Sequence, residues 1–518
     1  MPIRCTIRAS EYHDSVALME VARELTRFPG VGDAAVLMAT EANKGILREA
    51  RLLLPEIVAA GANDLIIVVQ AVSDEVATEA LAAAETLLTQ RLVVPRSEGA
   101  VQPRTVRAAL GRNAESNLAI ISVAGQYAAA EAWEALGSGL HVLLFSDNVP
   151  IEDEIALKKY AAERGLLMMG PDCGTALING VALGFANVVP RGPVGIVAAS
   201  GTGLQEVSTL LAKLGVGITQ GIGTGGRDLK EAVGGIMMLE GLKALQQDPD
   251  TAVIVLVSKP PSPVVGQRVL CQIRLSDKPT VICFLGADPN AASDAGAVPA
   301  RTLQECAYLA AAEVGGCKEA SPDEVIGRER ADLASQALEL KKRLNPGQEY
   351  LRGLFSGGTL ASEALLIWGD MLGQVYSNLA TDAESTLRDA TKSRGHCAVD
   401  LGDDVFTLGR PHPMIDHELR IRRLMQEASD PTVAVVMLDV VLGYGAHPNP
   451  AGELGPAIEQ ARELAAQQGR ELIVVASVTG TKDDPQGLER QIARLKDAGA
   501  VVCTCNAAAA RLAGLVVV

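Results

Sequence analysis

The sequence of 518 residues predicts an α/β protein with parallel, doubly wound sheets, and three observations carry that prediction. Hydrophobic residues make up 48% of the chain but aromatic residues only 3%, alongside 51 glycines. A Val/Ile/Leu/Ala core, with Gly where backbones approach, is what helix-covered strands require. Apolar runs recur as unbroken stretches along the chain, and amphipathic or Ala-rich segments separate them.

In chain order the strand-like runs are 64-DLIIVVQA-71, 118-LAIISVAG-125, 141-HVLLFS-146, 166-LLMMG-170, 193-PVGIVAAS-200, 252-AVIVLVS-258, 279-PTVICFLG-286, 432-TVAVVMLDV-440 and 471-ELIVVASV-478. Helix-like segments such as 73-SDEVATEALAAAETLLTQ-90 and 486-QGLERQIARLKDAG-499 lie between them. At about 150 residues per domain, the length calls for roughly three domains. Pro/Gly-rich joints stand at 184-GFANVVPRGP-193 and at 315-GGCKEASPDE-324, the second followed by a charged helical run to Lys342. The expected domains are therefore 1–190, 191–320 and 350–518, with a helical linker over 321–349. The stretches after 190 and after 345 echo one another: strand, Ser/Gly/Thr turn, helix, then two further apolar strands. They read as two copies of one flavodoxin-like plan.

The balance of 46 basic and 62 acidic residues gives −16, which argues against nucleic-acid or anionic-membrane partners and leaves any anionic ligand to a local site. The start Met-Pro-Ile-Arg lacks a signal peptide's apolar stretch, and no run approaches the ~20 residues of a span, so a cytoplasmic protein is expected. Nine scattered cysteines without a C-x-x-C pair fit reduced thiols. Cys503-Thr-Cys505 is too sparse for structural zinc, and no metal site is expected.

Four motifs carry candidate chemistry. Ser200-Gly201-Thr202-Gly203 leaves a strand and opens a helix, so it suits an anion, or else merely caps the helix. It is neither a complete dinucleotide fingerprint, since Glu206 replaces the third glycine, nor a nucleophile elbow, since Ala198 replaces the first. The second motif, 221-GIGTGGRDLKEAVGG-235, offers Thr224, Gly225 and Gly226 for close approach, Arg227 for an oxyanion, and Asp228 as a cap. The third, 395-GHCAVDLGDDVFTLGRPHPMIDHELR-420, clusters Arg410, His412 and Asp416. The fourth, 438-LDVVLGYGAHPNP-450, runs a strand into Gly443 and Gly445 with His447 at a helix start. Lys259 ends another strand, and the echo adds Ser356, Gly357, Gly358 and Thr359.

The run 169-MGPDCGTALINGVALGFANVVPRGPVGIVAASGTGLQEV-207, continuing to GIGTGGRD, resembles the α subunit of succinyl-CoA synthetase. A resemblance to the FdrA family covers essentially the whole chain, through ANKG at 42–45, FSDN at 145–148, EDEIALK at 152–158, GGRDL at 225–229, VSKPP at 257–261, SGGTLA at 356–361, GRPHPMID at 409–416 and LDVVLGYGA at 438–446. It implies a Rossmann-like CoA-binding-type domain followed by two flavodoxin-like succinyl-CoA-synthetase domains, the last similar to the β-subunit ligase part. In the synthetases two helix starts point at a phosphohistidine. Carried over, these are Ser200, Gly201 and Thr202, with Gly443 to Ala446 as the counterpart. Where the phosphohistidine loop belongs, this chain reads 283-CFLGADPNAASDAGAVPA-300, without a histidine.

FdrA-type proteins are associated with oxamate carbamoyltransferase, which interconverts oxalurate plus phosphate with oxamate plus carbamoyl phosphate in allantoin and purine catabolism. The resemblance thus implies a carbamoyltransferase subunit, with phosphate, carbamoyl phosphate and a carboxylate as substrates, and room for CoA, partner subunits and homo-oligomers. On that reading His412, Arg410 and Arg227 are catalytic, and the Gly-rich turns, Lys259 and His447 bind phosphate and substrate. Two alternatives stand beside it: an acyl-CoA synthetase subunit whose phosphorylated histidine has moved, to His396 or His447, and a non-catalytic CoA- or nucleotide-binding subunit.

Overall fold

A computed structural model describes residues 1–9, 11, 15–26, 28–50, 52–61, 64–92, 103–315, 321–407 and 411–518. The chain divides into two compact units, residues 1–104 with 403–412, and residues 105–402 with 413–518.

In the smaller unit, β1 (Ile3–Arg8), β2 (Val31–Met38) and β3 (Leu65–Ala71) form an antiparallel sheet in the order β1-β3-β2. Helices α1 (Ser15–Thr26) and α2 (Asp74–Leu92) set Leu18, Val21, Leu25, Ala80 and Ala84 against Leu65, Ile67 and Val69. Ile66 and Val68 pack on the opposite face with Leu47, Leu52 and Ile57. The unbroken apolar run 64–71 thus comes from burial on both faces of a central strand, and the pairing is antiparallel rather than parallel.

The larger unit opens with a parallel sheet of β4 (Leu118–Ile121), β5 (His141–Leu144) and β6 (Met168–Met169), with α3 (Ile151–Ala162) crossing from β5 to β6. Next come β7 (Thr175–Ile178), β8 (Val181–Gly184), β9 (Arg191–Ala198), β10 (Ile218–Gly223), β11 (Val253–Ser258), β12 (Thr280–Phe284) and β13 (Val298–Pro299), ordered β13-β12-β11-β9-β10-β7-β8. A third sheet holds β14 (Tyr350–Phe355), β15 (Tyr376–Ser377), β16 (Cys397–Asp400), β17 (Val433–Val441), β18 (Ile473–Thr479) and β19 (Val501–Cys503), ordered β15-β16-β14-β17-β18-β19 and parallel throughout.

Counted from β9, the parallel strands run 2-1-3-4-5. Counted from β14, with β16 as the second strand and β15 added at the edge, they run 2-1-3-4-5 again. The internal echo is thus a repeated strand order, and the molecule is α/β with parallel sheets. The first 190 residues do not act as one body. Residues 1–104 form their own unit, and the β7–β8 hairpin leaves the Rossmann-like sheet to pair antiparallel with the edge strand β10.

Each flavodoxin-like copy sends its first strand into a buried helix, α4 (Gly201–Lys213) or α5 (Gly358–Leu372). Later helices are α6 (Glu418–Ser429), α7 (Pro450–Gln467) and α8 (Asn506–Val517). Glu206 of α4 accepts hydrogen bonds from Thr479 Oγ1 (2.5 Å) and the Asn506 amide (2.9 Å), so the two copies share a buried polar joint. Among the described residues no helix is long and apolar enough to cross a membrane.

Candidate functional site: two helix starts beside Lys259

In a 2-1-3-4-5 sheet the strand order reverses between strands 1 and 3, and ligands bind outside the carboxyl ends there. In the first copy that point lies after β9 and β11, where Ser200 and Lys259 stand. In the second it lies after β14 and β17. Ser200 is extended, and its Oγ accepts from the Gly203 amide at 2.9 Å, so it caps α4. The same Oγ donates to Thr359 Oγ1 of α5 at 2.6 Å.

The starts of α4 and α5 therefore meet. A methyl group added at Gly357 would lie 2.8 Å from Thr202 Cγ2, so only glycine lets them come this close. Ser200, Thr202 and Thr359 are buried, while Gly201 and Gly358 stay half-exposed at the rim. The exposed Lys259 brings its Nζ to 3.4 Å from where a Cβ on Gly358 would be, and the Asp400 carboxylate crowds the same point.

Behind this rim the α5 turn is anchored by buried Asp439. Its carboxylate accepts from the Ser356 amide (2.8 Å), Ser356 Oγ (2.9 Å) and the Gly357 amide (2.9 Å). Arg420, itself buried, donates to Asp439 Oδ1 at 2.9 Å and to the Leu354 carbonyl at 3.1 Å. Arg420 offsets Asp439, and at the rim the charges of Lys259 and Asp400 cancel, which leaves two helix N-termini of about +0.5 each. The sum favours an anion by about one charge.

The other predicted site residues go elsewhere. Arg227 pairs with Glu154 Oε2 at 2.9 Å and donates to the Val149 carbonyl at 2.8 Å. Lys158, fully buried, holds Glu154 Oε1, Asp228 Oδ1 and the Thr224 carbonyl at 2.8–2.9 Å. Asp228 in turn caps the helix Ile236–Gln247 through the Met237 and Met238 amides. Gly225 packs on Pro171 and Gly170. The 224–228 loop, expected to grip substrate, is held by these protein groups and locks α3 to the second sheet.

The turn from Gly443 to Ala446 is the expected second positive pole, whereas it is the 356–359 turn that meets the Ser200 turn. Gly443 (φ 112°) and Gly445 (φ 77°) instead let the turn dock on 184–187, where the Tyr444 amide donates to the Ala186 carbonyl and Asn187 Nδ2 to the Leu442 carbonyl. His412 belongs to the smaller unit, whereas the two helix starts belong to the larger. Arg410 lies outside the described residues.

Sequence reasoning missed Asp400, Asp439 and a histidine pair. His417, at the start of α6, and His447 have ring centroids 5.2 Å apart, and His447 Nε2 lies 3.2 Å from Glu453 Oε1. Burial, then Arg420 and His447 nearby, push His417 down to about 3, so its ring is neutral.

Residues 354–516 match the family model described as CoA-ligase, and residues 1–103 match that described as AllF, heavy metal-associated domain. The YahF protein of Escherichia coli (strain K12) is 45% identical over 510 residues, covering 98% of this chain and 97% of that one. The chain belongs to the YahF family. The α subunit 2 of an ADP-forming succinate–CoA ligase from Archaeoglobus fulgidus is 30% identical over 152 residues, 29% of this chain and 52% of that one. The malate–CoA ligase α subunit of Methylorubrum extorquens is 28% identical over 148 residues, 27% of this chain and 49% of that one. The chain thus spans about half the length of these ligase subunits. Among solved structures, PH0766 from Pyrococcus horikoshii OT3 aligns with a TM-score of 0.33 at 16% identity, over 77% of this chain and 83% of that one.

The match to the CoA-ligase model begins at Leu354, two residues before Ser356, so in this YahF-family chain the α5 start lies within the ligase-like segment. The histidine alternatives narrow on position. His396 stands at the amino end of β16, where its Nδ1 accepts from the Leu351 amide, whereas Ser356 follows the carboxyl end of β14. His447 lies on the carboxyl side but is taken up by Glu453 and the Asn449 amide.

Proposed function

We propose that this chain is an acyl-transfer subunit of the CoA-ligase type, holding a phosphate or acyl-phosphate group at the joined starts of α4 and α5. The observation that supports it is the 2.6 Å bond from Ser200 Oγ to Thr359 Oγ1, which sets two helix N-termini at one rim beside Lys259. Apart from the Gly203 amide, which Ser200 Oγ takes, the first-turn amides have no intrahelical acceptor and can reach phosphate oxygens. Lys259 then neutralises the charge that Asp400 would otherwise repel. The relatives that match part of the chain include α subunits of succinate– and malate–CoA ligases, which supports a carboxylate substrate, a CoA acceptor and a partner chain.

Within this class, the finer reading is carbamoyl phosphate formation from oxalurate. Phosphate oxygen attacks the ureido carbonyl, the C–N bond to the oxamate nitrogen breaks, and that nitrogen takes a proton. It is favoured by 283-CFLGADPNAASDAGAVPA-300, which has no histidine where a phosphoenzyme would form. Direct attack needs a held nucleophile and oxyanion donors, not a phosphohistidine.

The test is a paired assay of the chain with its neighbouring gene products. ATP, CoA and a dicarboxylate are scored for acyl-CoA and for acid-labile phosphoprotein, and oxalurate plus phosphate is scored for carbamoyl phosphate. Phosphoprotein with acyl-CoA selects the ligase route, and carbamoyl phosphate without phosphoprotein selects the phosphorolytic one. Turnover that survives Lys259→Met unchanged in both assays overturns the site.

A further inference from the structure

We propose that His417, His447 and Glu453 form a binding site for a divalent transition-metal cation, with zinc the best chemical match. Their ligand atoms lie within 4.8 Å of one another, and the three come from the start of α6, the loop after β17 and the first turn of α7. Two imidazoles and a carboxylate are a zinc ligand set that leaves a fourth position open. Ligands at about 2.0–2.2 Å in a tetrahedron stand about 3.4 Å apart, so the ligand atoms need close by at most about 1.4 Å.

The independent sign is His417. It is 2% exposed, and neither ring nitrogen has a hydrogen-bond partner. The Pro413 carbonyl lies near enough to favour a ring proton, but not at hydrogen-bonding geometry. A buried imidazole with two unsatisfied nitrogens is costly unless something else occupies a lone pair. Arg420, the nearby cation, is offset by Asp439, so it does not bar a second positive charge. Glu453 is 35% exposed and gives the ion a route in.

One rearrangement is required. His447 Nδ1 accepts from the Asn449 amide at 3.1 Å, which leaves the proton on Nε2 facing Glu453. A cation on Nε2 needs the other tautomer, so the Asn449 amide gives up that bond. Asn449 caps α7 without a side-chain bond to the helix, its Oδ1 accepting from Gln491 Nε2 at 3.1 Å instead, so losing the amide bond breaks no side-chain cap.

The experiment uses the full chain, stripped with a chelator, loaded with Zn2+ or Co2+ and freed of excess by gel filtration. Metal content and thermal unfolding are then compared with Glu453→Gln and His417→Gln. The nine cysteines contribute equally to all three proteins, so the difference reads this site. The wild type should retain one equivalent more than either variant and bind at least about tenfold tighter. Zn2+ should raise only the wild type's melting temperature. Glu453→Gln alters a partly exposed side chain and remains informative if His417→Gln fails to fold. Equal metal content in wild type and Glu453→Gln, or none in both, overturns the proposal.

Discussion

At the residue scale, charge separates two lysine and arginine roles that the sequence alone could not. Lys259 is exposed and flanks Gly358, so its amine is free to meet a ligand. Lys259→Met should weaken inorganic phosphate binding at least about tenfold, the loss of one charge-assisted contact, with the melting temperature unchanged. Calorimetric titration and a thermal scan check both halves, and unchanged affinity would remove Lys259 from the site. Arg227 is the opposite case. Its partner Glu154 is fully buried and shared with Lys158, so Arg227→Ala leaves a carboxylate oxygen without its ion pair. The expected cost is about 1–3 kcal/mol in urea unfolding, with phosphate affinity preserved. A loss of affinity without loss of stability would restore the oxyanion role that its glycine-rich surroundings suggest.

At the element scale, α4 and α5 depend on one hydroxyl. Ser200 both caps α4 through Gly203 and bonds Thr359, so Ser200→Ala removes a cap and leaves Thr359 short of a buried partner. Its cost should be about 1–2 kcal/mol, and phosphate binding should weaken with it, because the two N-termini are then no longer tied. Stability and affinity measured on the same sample check this, and loss of stability alone would make the turn a plain cap. Much of this element was legible beforehand. An apolar strand, a Ser/Gly/Thr turn and an amphipathic run specify strand, cap and helix locally. Which turn faces which was not legible, because that depends on how two sheets pack. Gly443 and Gly445 look like another ligand loop in sequence, yet their freedom serves a backbone-to-backbone dock on 184–187. His417 and His447, thirty positions apart, meet only because the α6 start and the loop after β17 share one end of the third sheet.

At the scale of the whole molecule, the repeated 2-1-3-4-5 order was visible as an echo in the sequence, whereas the separate N-terminal unit was hidden by a strand apolar on both faces. An apolar cluster runs through both repeats, and a buried polar joint set within it gives the larger unit a pH dependence. Glu363 of α5 accepts from the Leu303 amide (2.6 Å) in the first copy and from Asn506 Nδ2 (2.8 Å) in the second. Burial first, with Glu206 nearby, pushes its carboxyl up to about 7 against the hydrogen bonds from Asn506 and Leu303. The folded value lies above the unfolded one of about 4.3, so the folded state holds the extra proton between them. The stabilising contribution is present in full below about pH 4.3 and is lost as pH rises through about 7. At about 1.4 kcal/mol per unit, the change is on the order of 3 kcal/mol. Glu363→Gln is neutral at every pH and keeps an oxygen for Leu303. Its stability relative to wild type should therefore rise from pH 5 to pH 8 by that amount, measured by urea unfolding at each pH. Wild-type and Glu363→Gln curves that stay parallel across this window would show that the carboxyl keeps an ordinary pKa at the joint.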